Sequence, residues 1–461
     1  MTDIQAALDH LDADADPALA RLFELLRFKS ISTDPAYAEE CAKAAAWLAE
    51  DLASMGFTAR VAPTKGHPIV LAHHDGPQGA PHILFYGHYD VQPVDPIDLW
   101  HSDPFDPQVK SRADGSQIIV GRGTGDDKGQ LMTFLEACRA LKATTGGLPC
   151  KVTILLEGEE ESGGANLPPF LEEHADELRA DIAVICDTGM WDRETPAITT
   201  MLRGMLGEEL TVHAASRDLH SGFYGGAAAN PLRVLSHALS GLHDETGRVT
   251  IAGFYDGVPE IPADVQKQWN ALGFSDEDFL GEIGLSIPAG EQGRNSMQAT
   301  WARPTAEVNG VWGGYTGAGF KTVIPAEAHA KISFRLVGTQ DPLKIREAFR
   351  AQISAAIPAD CRVEFHGHGA SPASVMPLND PKFETARQAL SEEWGIEAAF
   401  VGAGGSIPVV GELQRQLGLH SLLIGFGQND DAIHSPNEKY EMTSFRKGAR
   451  SFVRVLAALG A

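Results

Sequence analysis

Four apolar runs in this chain stop at acidic or histidine-bearing residues, and that coupling narrows the folds open to it. Ile83-Leu-Phe-Tyr86 leads into His88 and Asp90. Val152-Thr-Ile-Leu-Leu156 ends at a segment containing Glu159-Glu160-Glu161. Ile182-Ala-Val-Ile-Cys186 stops at Asp187, and Ser421-Leu-Leu-Ile-Gly-Phe426 precedes the loop that carries His434. Runs that are apolar on both faces read as buried strands, and helical spacing lies between them. Leu131, Phe134, Leu135, Cys138 and Leu141 share one helix face, as do Leu19, Leu22, Phe23 and Leu26, and Ala44, Trp47, Leu48 and Leu52. The pattern predicts an α/β catalytic domain, a mainly parallel sheet sandwiched by helices. In such sheets ligands gather beyond the carboxyl ends of the strands, which is where these acids and histidines fall.

Between Asp187 and His434 the texture changes. Glu209-Leu-Thr-Val-His213 and Lys331-Ile-Ser-Phe-Arg-Leu-Val337 alternate apolar and polar residues, as half-exposed antiparallel strands do, and helical stretches are expected at 227–243 and 342–357. We expect an inserted α+β domain with an antiparallel sheet over 206–371, interrupting a catalytic domain made of 1–205 and 372–461. Residues 255–305 are punctuated by Gly and Pro and carry no clear period. A final helix is expected at about 439–459.

At 461 residues the chain exceeds one ordinary core. Its 37 basic against 62 acidic residues give a formal charge of −25, which repels nucleic acid and anionic membrane surfaces. The start, Met1 to His10, has neither a basic stretch nor an apolar one, and no segment reaches about 18 uninterrupted apolar residues. Five scattered cysteines without a Cys-x-x-Cys pair point to reduced thiols. The expectation is a cytoplasmic enzyme.

Two histidines and several carboxylates on five short segments form the donor mix of a hydrolytic zinc or manganese centre. A lone His88 would ordinarily be a satisfied polar residue, but Asp90 two positions on could hold its second ring nitrogen. Asp126-Asp127 opens a helix, so one aspartate can cap while the other binds metal. Three consecutive glutamates after an apolar strand point in different directions, which lets one bind metal while its neighbour faces a water as general base. Other centres lack their residues. Asp126 stands where a dinucleotide fingerprint needs its third glycine, and Pro17 where an EF-hand loop starting at Asp12 needs its own. No Gly-x-Ser-x-Gly or His-Glu-x-x-His occurs.

Tyr86-Gly-His88-Tyr-Asp90, Gly121-Arg-Gly-Thr-Gly-Asp126-Asp127-Lys-Gly129, Glu157-Gly-Glu159-Glu160-Glu161-Ser-Gly163, Cys186-Asp187-Thr-Gly189 and Ala432-Ile-His434-Ser-Pro-Asn-Glu438 together resemble a known family. It is the co-catalytic zinc family of carnosinase-like dipeptidases, glutamate carboxypeptidase, succinyl-diaminopimelate desuccinylase and aminoacylase. Arg217-Asp-Leu-His220-Ser-Gly222, Lys321-Thr-Val-Ile-Pro325, Ser333-Phe-Arg335-Leu-Val337 and Gly404-Gly-Ser-Ile-Pro408 point to the carnosinase-like branch. The resemblance implies two divalent metal ions per subunit, zinc first, with manganese or cobalt as alternatives. His88 and Asp187 would hold one, Glu161 and His434 the other, and Asp126 would bridge them across a cis Asp126–Asp127 peptide. Glu160 would be the general base and Asp90 would orient His88. His220 would stabilise an oxyanion across a homodimer interface, and Arg335, Thr322, Ser406 and His368 would bind the substrate. The reaction implied is hydrolysis of a small peptide with a free C-terminal carboxylate.

One departure stands out. Carnosinase-like relatives carry Arg-Glu before Gly-Gly-Ser, whereas this chain has Gly402-Ala403. That substitution raises the alternative of an N-acyl-amino-acid amidohydrolase or carboxypeptidase using the same machinery. A catalytically silent metal-binding dimer would require a missing base or ligand, and none is missing.

Overall fold

In the computed structural model, which describes residues 4–461 with the Asp264 side chain excepted, the strand His82–His88 lies between two parallel neighbours, Lys151–Glu157 and Ile182–Ile185. Residues 1–3 of the stretch read for targeting signals fall outside that range. Ser421–Leu423 joins Ile182–Ile185 in parallel, which makes four parallel strands at the centre. The flanks are antiparallel: Ile69–His74 pairs Lys151–Glu157, Thr58–Ala62 pairs Ile69–His74, and Ala197–Leu202 meets Ser421–Leu423. The sheet is thus mixed with a parallel core. Thr58–Ala62 shows why the edge can differ. Only Ala62 of its five residues is buried, so it has no need of the double cover that parallel strands require.

The chain divides into two compact units. The first runs to Thr200 and resumes over Met376–Val401 and Pro408–Ala461; the second comprises Met201–Val375 and Gly402–Ile407. In the first, helices Lys128–Thr145 and Met442–Leu459 pack on the sheet through aromatic rings. Phe134 stacks on Phe85 with centroids 3.8 Å apart, and Phe452 meets Phe134 edge-on at 5.3 Å. Rings buried this way contribute about 1.5–3 kcal/mol each. They fix the start of Lys128–Thr145, and with it the loop that ends at Asp127.

The second unit holds a four-stranded antiparallel sheet in the order Thr305–Gly313, Glu327–Leu336, Gly204–His213, Arg362–Ser371. Alternation buries Leu206, Leu210, Val212, Ile332 and Phe334 against Leu235, Phe349 and Ile353. Those three lie on the helices Pro231–Ser240 and Pro342–Ala356, which cover one face. The other face keeps Met205, Lys331 and Arg335 out of that core. The helix expected at 227–243 is shorter, because Asn230 caps it through the Leu232 amide and Pro231 takes its first position. Residues 255–305 form the short helices Ala263–Ala271, Asp276–Gly281 and Ser296–Trp301. Among the described residues no helix is long and apolar enough to cross a membrane.

Candidate metal centre

The five side chains expected as ligands converge within the first unit. His88 is the last residue of its strand, in register with Glu157. Asp187 stands two positions beyond Ile185, and Glu161 lies in the short turn Glu160–Ser162. Asp126 precedes the helix Lys128–Thr145, and His434 comes from the loop between Leu423 and Lys439. They form two trios, His88–Asp126–Asp187 and Asp126–Glu161–His434, each with its donor atoms within 4.8 Å of one another. Asp126 belongs to both. Its Oδ1 is 3.0 Å from Nε2 of His88 and its Oδ2 is 2.9 Å from Nε2 of His434.

The charge balance of the cluster calls for cations. Among the described residues no lysine or arginine pairs with Asp126, Glu160, Glu161 or Asp187. Burial, then Asp126 and Asp127, pushes the Asp187 carboxyl well above the usual range. Burial also raises Glu160, lifts Asp127 to about 7 and lifts Glu157 to about 8. Hydrogen bonds donated to Asp126 and Glu161 raise His434 to about 10. Burial opposes ionisation of Asp126, but His434 and His88 outweigh it and hold that carboxyl well below the usual range. Glu161 Oε1 is buried and has no hydrogen-bond partner among the described residues. Two imidazoles and three carboxylates, one shared, with an orphaned oxygen and excess buried negative charge, fit a pair of divalent ions.

A second layer fixes these groups. Glu438, fully buried, accepts from Arg122 Nη1 at 2.7 Å and from the amides of Gly123, Gly125 and Asp126 at 3.0, 2.8 and 3.1 Å. It clamps the loop that delivers Asp126. Glu438→Gln should therefore lower metal affinity or turnover by about 10–100-fold. It should also destabilise the fold by about 3–5 kcal/mol, because Arg122 is left as a buried charge. Metal titration and denaturant unfolding check the two effects separately.

Asp90 lies at the second ring nitrogen of His88 and also holds the glutamate turn. Nδ1 of His88 lies 3.1 Å from the Asp90 carbonyl oxygen and 3.5 Å from its Oδ1. The Asp90 carboxylate also accepts from the amides of Glu160 and Glu161 at 3.2 and 3.0 Å, and from Ser32 Oγ at 2.6 Å. It sets the glutamate turn. Neither Asp126 nor Asp127 caps the helix that follows. Asp127 sits at the capping position, but its Oδ2 accepts from the His88 amide at 3.1 Å and faces Cys186 Sγ at 3.5 Å. The Asp126–Asp127 peptide bond is cis. Gln92 donates to Glu161 Oε2 at 2.8 Å.

Of these supports, Gln92 and Glu438 lie beside or inside the quoted segments, whereas Ser32 has no sequence signal. The loop bearing His434 is strained. Ala432, His434 and Asn437 all have positive φ, at 54, 58 and 65°, a conformation that costs non-glycine residues about 1–3 kcal/mol each. Asn437 ties the loop down through the His101 amide and the Leu99 carbonyl.

The remaining candidates belong to the second unit. His220 pairs with Val323 across a short ladder, its Nδ1 accepts from the Gly222 amide, and the Ser221 amide donates to the Thr322 carbonyl. His220 and Thr322 thus lie together. Arg335 stands opposite Met205 on the uncovered sheet face. His368 lies over Gly207, where a Cβ would come within 3.0 Å of its own, and its Nε2 is 3.5 Å from Glu209 Oε2. Ser406 belongs to the segment Gly402–Ile407. A Cβ on Gly402 would come within 2.7 Å of Trp301 Cβ, so the tryptophan occupies the space a side chain there would need.

Comparison with known proteins accords with this geometry. Over 468 residues the chain is 28% identical to a Cys-Gly metallodipeptidase of Candida albicans, covering 97% of this chain and 96% of that protein. Among solved structures it is similar to an M20-family metallo-carboxypeptidase from Sulfolobus solfataricus, with TM-score 0.81, 30% identity, and 96% and 99% of the two chains covered. It is likewise similar to a dipeptidase from Saccharomyces cerevisiae, with TM-score 0.80, 26% identity, and 99% and 98% covered. Residues 84–458 match the peptidase family M20/M25/M40. A match over that much of its length makes the chain a member of peptidase family M20/M25/M40, and so a hydrolase.

Proposed function

We propose that this chain is a dinuclear metal-dependent dipeptidase acting on small peptides with a free C-terminal carboxylate. The observation that carries the reading is Asp126, whose two oxygens each face one histidine of the two trios. His88 and Asp187 would hold one ion, Glu161 and His434 the other, and Asp126 both. Two cations held there would supply Lewis acidity toward the scissile carbonyl and would lower the pKa of the attacking water. Glu160 takes that water's proton and passes it to the departing amine. Its carboxylate pairs with no side chain among the described residues, and burial raises its proton affinity into a range useful for transfer. Asp90 holds Glu160 in place through the amide of that residue.

The names of the Candida albicans and Saccharomyces cerevisiae relatives support peptide substrates. We assign zinc as the metal, with manganese or cobalt as substitutes, and assign the cytoplasm to a chain whose five cysteines are all free. A homodimer would bring His220 of one subunit to the oxyanion of its partner's substrate, with Arg335, Thr322, Ser406 and His368 as substrate contacts. An N-acyl-amino-acid hydrolase or carboxypeptidase is the second reading. The absence of charge at Gly402-Ala403, enforced by Trp301 at the first position, favours it.

Hydrolysis of a panel of dipeptides and N-acyl amino acids by apo, zinc-loaded and manganese-loaded protein decides between them. We expect metal-dependent cleavage, with dipeptides preferred at least tenfold in kcat/KM. Preference for the acylated substrates would select the second reading, and activity in the apo protein would sink both.

A further inference from the structure

Away from the metal ligands, the first unit has a cavity of about 600 Å³, inside the range of about 300–1,000 Å³ in which small ligands bind. Among its walls are Arg193 and Glu194, from the loop between the strands Ile182–Ile185 and Ala197–Leu202. Trp394 ends the helix Pro381–Trp394 there, with Ile396 just beyond it, and Lys447 comes from the helix Met442–Leu459.

Most of the charge around this cavity is already spent. Arg193 donates to Asp430 at 2.7 Å, Glu441 accepts from Arg112 and Lys439, and Asp114 accepts from the amide and hydroxyl of Ser116. Lys447 and Glu194 differ, since neither pairs with an opposite charge among the described residues. Lys447 instead lies over the Trp394 ring, its Nζ 4.7 Å from the centroid. Trp394 is held from behind, because its Nε1 donates to Ser451 Oγ at 3.1 Å and its ring stacks on Phe426 at 6.2 Å. It therefore offers a fixed apolar surface, which Ile396, 43% exposed, extends. An ammonium and a carboxylate without partners, on different elements beside a rigid apolar surface, are complementary to a zwitterion with an apolar side chain. A simple anion or cation would answer only one of the two.

We propose that this cavity is a second binding site, which takes a free α-amino acid with an apolar side chain. Its carboxylate meets Lys447, its ammonium meets Glu194, and its side chain lies on Trp394 and Ile396. The site adjoins the support of a metal ligand. Asp430, held by Arg193, shares Lys439 with Asp431, at 2.8 and 2.5 Å from Nζ, and Lys439 closes the loop that brings His434. An occupant that shifts the Arg193 loop thus reaches the His434 loop through one ion pair.

Leucine is the probe. Isocaproate, which lacks the ammonium, and leucinamide, which lacks the carboxylate, are the controls. Calorimetry on the metal-loaded enzyme compares the parent with Lys447→Met and Glu194→Gln, and any leucine at the metal centre is common to all three. Both variants should bind leucine in the cavity at least tenfold more weakly than the parent, and the parent should bind each control at least tenfold more weakly than leucine. Circular dichroism confirms folding, and Lys447→Gln replaces the methionine variant if that one does not fold. At saturating substrate, leucine should lower kcat of the parent and leave that of Lys447→Met unchanged. Equal leucine binding by the parent and both variants, or equal binding of leucine and its controls, would overturn the site. Binding with no effect on kcat would overturn its link to the His434 loop. The binding measurement needs no turnover, so it stands or falls apart from the dipeptidase reading.

Discussion

Glu160→Gln is expected to lower kcat by about 10²–10⁴-fold, the range a positioned general base contributes, while both metal ions remain bound. The amide keeps the shape and volume of the carboxylate but accepts no proton at the pH of the assay. Metal retention follows from the geometry. Glu160 is in neither ligand trio, and the carboxylates of Asp126, Asp187 and Glu161 are untouched. The turn also survives, since Asp90 holds it through the backbone amides of Glu160 and Glu161, which the substitution leaves in place. KM should therefore move little against kcat. Metal analysis and steady-state kinetics on the same preparation are sufficient. A variant with full turnover would move the base to Glu159, since Glu157, the remaining glutamate outside the ligand trios, is held by Tyr86. Glu159 is a poor substitute, because its Oε2 already accepts from Asn166 at 2.7 Å. A variant that lost its metals would instead make Glu160 a ligand.

The strand-end positions of His88, Glu161 and Asp187 were legible because each follows an uninterrupted apolar run, and a charged residue at that point has few structural reasons to exist. The antiparallel flanks of the sheet were less legible, since Ile69–His74 is almost fully buried and reads like any central strand. Glu438 shows the limit more clearly. Its role is to accept from the backbone of Gly123, Gly125 and Asp126, more than 300 positions away, and backbone donors leave no trace in a sequence. The spacing of His88 and Asp90 brought Asp90 to the second ring nitrogen of His88, but it carried no sign that the same carboxylate also anchors the next loop through two backbone amides.

Removal of the metals should lower the melting temperature, and lower it more at pH 8 than at pH 5.5. Ions held at 1,000 times their dissociation constant stabilise the native state by about 4 kcal/mol, all of which chelation removes. The pH dependence comes from the carboxylates left behind. Burial raises Glu157 to about 8 and Asp127 to about 7, and lifts Asp187 well above its usual range, whereas in the unfolded chain such groups titrate near 4. Between those limits the native apo protein holds more protons than the unfolded one. The contribution of these groups is therefore fully present below pH 4 and is lost as pH rises through 7 and 8. His434, raised to about 10, acts with the same sign. Asp126, held low by the two histidines, acts oppositely, but its window lies below the unfolded value near 4 and so outside the measured range. In the loaded protein the cations stabilise the ionised carboxylates, and because they displace protons they bind more tightly at the higher pH. Scanning calorimetry with and without chelator at the two pH values should thus show the metal-dependent gap widening from 5.5 to 8. An apo protein equally stable at both would mean that the protein's own groups already balance this buried acid cluster, and the electrostatic case for two cations would fail with it.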